Sequence, residues 1–97
     1  MSVNNNIRKK AFGIMKSIES MNQNERGQRP SESFGLNYNN LRALCLESNP
    51  DLKNLMPPEV KFEDYGSDTY TNMVTEHNFS EIHTFCSEIY HLLEQDA

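Results

Sequence analysis

Apolar residues recur near the start of the chain at steps of four and three, as Ile7, Ala11, Ile14, Ile18 and Met21. At about 3.6 residues per turn this spacing lines one face of a helix, and it predicts a helix near 3–22. Phe12 and Met15 widen the apolar face. Gly13 falls inside the pattern, where glycine costs up to about 1 kcal/mol relative to alanine. A clearer stripe, Phe79, Ile82, Phe85, Cys86, Ile89, Leu92 and Leu93, predicts an amphipathic helix near 78–94. Asn78 or Ser80 can cap it, and Glu81 in its first turn suits the positive end of the helix dipole.

Between these stripes the pattern changes twice. Residues 22–35 are rich in amides, Gly and Ser and show no apolar period, so 23–36 reads as a flexible loop, with Phe34 anchoring its far end. Asn37 is placed to cap a helix near 38–48, with Tyr38, Leu41, Leu44, Cys45 and Ser48 turned inward. Asn49-Pro50 breaks that helix and starts a short turn of another near 50–56, which Pro57-Pro58 ends. In 59–76, Val60 and Phe62 alternate with Lys61 and Glu63, and Thr69 to Val74 favours strand. A short β-hairpin and an irregular extended run both fit. The expected fold is one small, mostly α domain over 1–97, with three main helices and that hairpin between the second and the last.

The chain has 97 residues and 36% of them are hydrophobic, so the core is small and stability modest or shared with a partner. The twelve asparagines are scattered and read as compositional drift with no structural message. No apolar run reaches the roughly 18 residues that cross a bilayer, and no apolar run follows the basic N-terminal residues. A cytoplasmic protein without membrane contact is expected, and the glycosylation pattern Asn78-Phe79-Ser80 carries no weight there. In that compartment Cys45 and Cys86 read as buried thiols rather than a disulfide. Net charge is −5, unevenly spread: residues 1–29 hold six basic side chains against two acidic, and 30–97 hold three against twelve. The two parts either attract each other or face different partners.

Little in the sequence carries chemistry. His77, His83 and Cys86, with Cys45 as a fourth ligand, match no familiar zinc spacing, and Cys86 sits where the helix stripe calls for a buried group anyway. Asp64, Gly66 and Asp68 match a calcium loop only in part, because the glycine is misplaced and the closing glutamate is missing. The carboxylates Glu59, Glu63, Asp64, Asp68 and Glu76 form a charge run of the kind that faces water, and no nucleophile occupies a recognisable elbow. No enzyme activity, cofactor or metal is expected.

Two binding readings remain. Arg8, Lys9, Lys10 and Lys16 on the first helix, followed by Arg26 and Arg29, suit phosphate contacts in a nucleic-acid binder. The acidic remainder disfavours that, and the same cations also read as a solvated face complementing it. The favoured reading is a small non-enzymatic regulatory or adaptor protein acting through protein–protein interaction, with Ile7, Ala11, Ile14, Ile18 and Met21 meeting a partner or a second copy. The same stripe suits ordinary intramolecular core somewhat better than an interface. Tyr38, Tyr65, Tyr70 and Tyr90 are further candidates for contact.

Overall fold

The computed structural model describes residues 3–64 and 73–94. Both stripes fold as helices, α1 over Val3–Glu19 and α4 over Phe79–Leu92, and the two pack chiefly on each other. Ile7, Ala11 and Ile18 of α1 are buried in one cluster with Ile82, Cys86, Ile89 and Leu93. Arg8 meets Tyr90 at one end of this seam and Glu19 meets His83 at the other, so the helices run antiparallel. Helices of this length are marginal alone in water, and the shared apolar seam is what holds them.

The amide-rich stretch 23–36 is a correction to the loop expected there. A one-turn helix α2, Gln23–Arg26, opens on a capping box in which the Asn22 side chain accepts the Glu25 N–H and the Glu25 carboxylate accepts the Asn22 N–H. Arg26 closes α1 from beyond its end, donating to the Glu19 carbonyl at 2.7 Å and the Met21 carbonyl at 3.0 Å, which otherwise lack partners at a helix C-terminus. A long helix α3 then begins at Glu32, well before the expected start near 38, and runs to Ser48. Its first turn is polar because only Phe34 and Gly35 turn inward there. Periodicity of apolar residues does not report such a start.

Along α3, Gly35, Tyr38, Leu41 and Cys45 are buried. Leu44 is 38% exposed, contrary to the inward position expected for it, since it lies about 100° around the helix from Cys45. A 3-10 turn over Pro50–Leu55 follows, close to the short helical turn expected at 50–56. The next segment lies along α3, held by side chains: the Tyr38 hydroxyl donates to the Pro58 carbonyl and Arg42 to the Pro57 carbonyl. Asn39 pairs with Val60 in both directions, accepting its N–H at 2.9 Å and donating to its carbonyl at 3.0 Å.

Strands β1, Phe62–Asp64, and β2, Met73–Thr75, pair antiparallel with Phe62 opposite Thr75 and Asp64 opposite Met73. Of the two readings of 59–76, this is the hairpin, and the residues joining its strands, with Tyr65, Asp68 and Tyr70, lie outside the described ones. An isolated pair of short strands does not persist in water and needs a surface to lean on. Gly35 provides it. A Cβ there would stand 2.5 Å from Thr75 Cγ2 and 2.8 Å from Phe62 Cε1, so the sheet rests almost directly on the α3 backbone.

The asparagines also correct the sequence reading. Besides Asn22 and Asn39, Asn78 forms the capping box of α4 with Glu81. Asn4 and Asn49 exchange side-chain hydrogen bonds of 2.8 and 3.2 Å, fastening the start of α1 to the end of α3. Those two helices therefore also run antiparallel. Short amides earn such roles because one side chain both donates and accepts. Among the described residues no buried side-chain nitrogen or oxygen lacks a partner, and no described helix is long and apolar enough to cross a membrane.

Candidate functional site

The five residues expected to meet a partner do not share one environment. Ile7, Ala11 and Ile18 are 2%, 0% and 1% exposed in the single chain, inside the seam with α4. Met21 is half-buried beyond the end of α1. Ile14 is half-buried and turned toward α3. There it lines a groove of about 680 Å³ between the two helices.

Both walls of the groove are built alike. Lys10, Gly13, Ile14 and Ser17 form the strip on α1, and Asn37, Asn40, Leu41 and Leu44 form the strip on α3, each at steps of three, one and three. That spacing covers one face over two helical turns, about 10 Å. Phe34 extends the α3 side. The surface combines four large apolar side chains, Ile14, Phe34, Leu41 and Leu44, with two amides, a hydroxyl and one cation, Lys10. At Gly13 the wall is low: an added Cβ would find nothing within 4 Å.

The cations expected to gather on α1 diverge instead. Arg8 lies over the Tyr90 ring, 4.2 Å from its centroid, and donates Nε to the Tyr90 carbonyl, which places a positive charge near the negative end of α4. Lys9 shares a separate cleft with Asn5, Arg8, Phe12 and Tyr90. Lys16 pairs with Glu19 at 3.2 Å and stands 5.2 Å from the Phe12 ring centroid. Lys10 alone of these faces the groove. Arg26 caps α1, and Arg29 pairs with Glu63 of β1. Much of the basic charge in residues 1–29 is thus engaged with the fold itself.

The histidines and cysteines do not converge either. His83 bonds to Glu19 at 2.9 Å, His77 to Glu81 at 3.1 Å and His91 to Glu94 at 3.0 Å. Cys45 and Cys86 are both buried free thiols. Burial pushes the Cys86 thiol up to about 12 and raises that of Cys45 as well, so neither is a ready nucleophile. Among the described residues no group of three or more His, Cys, Asp and Glu side chains is placed to hold a metal ion.

Compared with family models, with curated proteins and with solved structures, the chain has no match.

Sequence reasoning missed Phe34, Asn37, Asn40 and the outward position of Leu44. The set 37, 40, 41, 44 has the spacing of any two-turn helix face, and two of its members are asparagines, which an apolar pattern passes over.

Proposed function

We propose that this is a small non-enzymatic regulatory or adaptor protein that acts by holding another protein in the groove between α1 and α3. The observation that carries this reading is the groove itself: an apolar floor of Ile14 and Leu41, walled by the partly exposed Leu44 and rimmed by amides. Recognition surfaces combine apolar anchors with a few placed polar groups in this way. The pairing of each histidine with a glutamate and the inertness of the buried thiols support a binding role over a catalytic one. A cytoplasmic location belongs to the same proposal and is supported by two cysteines that remain free thiols.

The test is a selection of displayed protein fragments on the whole chain, followed by measurement of each binder against Leu44→Asp. Binding weakened about tenfold or more, in a variant that still unfolds cooperatively with a stability loss of no more than about 2 kcal/mol, is the expected result. Binders indifferent to Leu44→Asp would place recognition elsewhere and overturn the groove reading. Light scattering on the chain alone across a dilution series shows whether a second copy fills the groove. A mass near twice 11.2 kDa that Leu44→Asp returns to monomer would make self-association the function.

A further inference from the structure

We propose that the exposed face of α3 is a self-association surface, on which a second copy of this chain lays its own α3 antiparallel about a two-fold axis at Asn40. This rests on the reading that Leu44 belongs to a protein-binding surface, and it names the partner. A two-fold interface must be self-complementary, because each residue meets what the same patch supplies from the other copy. With the axis at Asn40, each position of α3 meets the one equally far from Asn40 in the opposite direction. Leu36 then meets the partner's Leu44. Both are large apolar side chains, 44% and 38% exposed, and they stand about 40° to opposite sides of Asn40 around the helix. Asn40 meets the partner's Asn40, and an amide is its own complement because it both donates and accepts. Asn37 meets the partner's Ala43, whose small side chain leaves it room. Ser33 meets the partner's Glu47 as hydroxyl to carboxylate, and Glu32 meets the partner's Ser48 in the same way. All of these positions are exposed in the single chain. Spacing alone makes any exposed helix face symmetric, but here the residue types also fit their own reverse.

Charge agrees with the pairing. The chain carries fourteen acidic and nine basic residues, yet from Ser33 to Leu44 the exposed positions of α3 hold none of them. Two copies at net charge −5 repel each other, and this stretch adds nothing to that repulsion. Depletion of charge is what marks the core of an interface. Arg42, the only cation of α3, is turned away to the Pro57 carbonyl. At the ends the charges are complementary. Glu47 lies in the last turn of α3, where no basic side chain offsets it and a carboxylate opposes the negative end of the helix dipole. Antiparallel pairing carries it to the partner's first turn, the positive end. The N-cap Ser31 makes no side-chain cap bond there, so the N–H groups that a helix leaves unpaired in its first turn gain an acceptor. Glu32 stands at the edge of that turn, about 100° around the helix from Ser33.

The size of the face sets the strength. A strip one helix wide and about 25 Å long is smaller than the roughly 800 Å² that each partner of a stable complex contributes. The dimer therefore forms and dissociates with concentration.

The experiment is sedimentation equilibrium of the whole chain from about 1 μM to about 1 mM. Mass should rise with concentration toward twice 11.2 kDa. Leu36→Asp, which lies outside the groove, should weaken association about tenfold or more while the variant still unfolds cooperatively. The register is tested by mixing. Leu36→Glu and Leu44→Lys should each be monomeric alone and form a mixed dimer together, because the pairing sets Glu opposite Lys at one end and Leu opposite Leu at the other. Cross-linking locates the axis. Asn40→Cys should oxidise to a disulfide dimer, whereas Asn37→Cys, about 9 Å along the helix from its own counterpart, exceeds the roughly 7 Å Cα reach of a disulfide and should not. Cys45 and Cys86 are buried, so the unsubstituted chain serves as the blank. A mass of 11.2 kDa at every concentration, association indifferent to Leu36→Asp, no mixed dimer, or cross-linking at Asn37→Cys in place of Asn40→Cys overturns the inference. A constant mass with selected fragments still lost on Leu44→Asp would leave the groove reading standing while this one falls. A constant mass with fragments indifferent to Leu44→Asp would sink both.

Discussion

Helix α1 has two neighbours, and it meets them differently. Toward α4 it closes: Ile7, Ala11 and Ile18 interlock with Ile82, Cys86 and Ile89 with no solvent between them, and Arg8 with Tyr90 and Glu19 with His83 fasten the two ends. Toward α3 it is fastened by Asn4 and Asn49 and packs through Ile14, while Lys10, Gly13 and Ser17 line a shallow groove between the two helices. One helix thus uses one side to build the core and leaves another open. The closed seam is explained by stability alone, whereas the half-open side, where Ile14 and Leu44 stand among polar side chains, is the surface on which the proposed partner sits.

The largest test of this contrast is Ile89→Ala. Removing a fully buried side chain from the seam should cost about 2–5 kcal/mol, read as a lower urea midpoint. A loss no larger than that of an exposed residue would mean the seam is not the core. Next comes Gly35→Ala, which forces a methyl against Thr75 and Phe62 and should cost about 1–3 kcal/mol through overpacking. A neutral result would show that the sheet does not rest on α3. Gly13→Ala should act in the opposite direction, raising stability by up to about 1 kcal/mol, because it gains helix propensity and meets nothing. Destabilisation there would mean the groove is filled from within the chain.

The smallest effect concerns acid. The His83 hydrogen bond, then Lys16, holds the Glu19 carboxyl below the ordinary carboxylate value of 4.5. The Asn78 backbone N–H, then His77, does the same for Glu81, and His91 for Glu94. A carboxylate whose pKa is lower folded than unfolded favours the fold above its unfolded value, and that contribution disappears as pH falls through the folded value. The unfolding midpoint should therefore hold steady above about pH 5 and decline below 4.5. Glu19→Gln should remove part of that decline. An unchanged acid limb in Glu19→Gln would show that the bond between α1 and α4 at Glu19 is absent in solution.

The same contrast explains what the sequence discloses. The stripes of α1 and α4 are legible because each buries a continuous apolar face, and periodicity reports that directly. The start of α3 is hidden because its first turn is polar and its helical state is set by packing of Phe34 and Gly35. The pairing of β1 with β2 stays ambiguous in sequence because three-residue strands depend on a helix surface that only the tertiary fold supplies. Asn4, Asn39 and Asn49 look like scatter until their partners, up to 45 residues away, are known. Of the groove, Ile14 was visible as an apolar position. Leu44 was visible too, but an apolar residue in a helix does not reveal by type alone whether it lies inside or out.

In the proposed reading the open side of α1 and α3 binds a partner while the closed side holds the fold. The most direct measurement is equilibrium binding of a groove-selected binder to Leu44→Asp and to the unsubstituted chain, alongside urea unfolding of both. An affinity lowered about tenfold or more, in a variant that stays folded with a stability loss of no more than about 2 kcal/mol, is the predicted result. Unchanged affinity would contradict the account, because the partner would then be seated away from the groove.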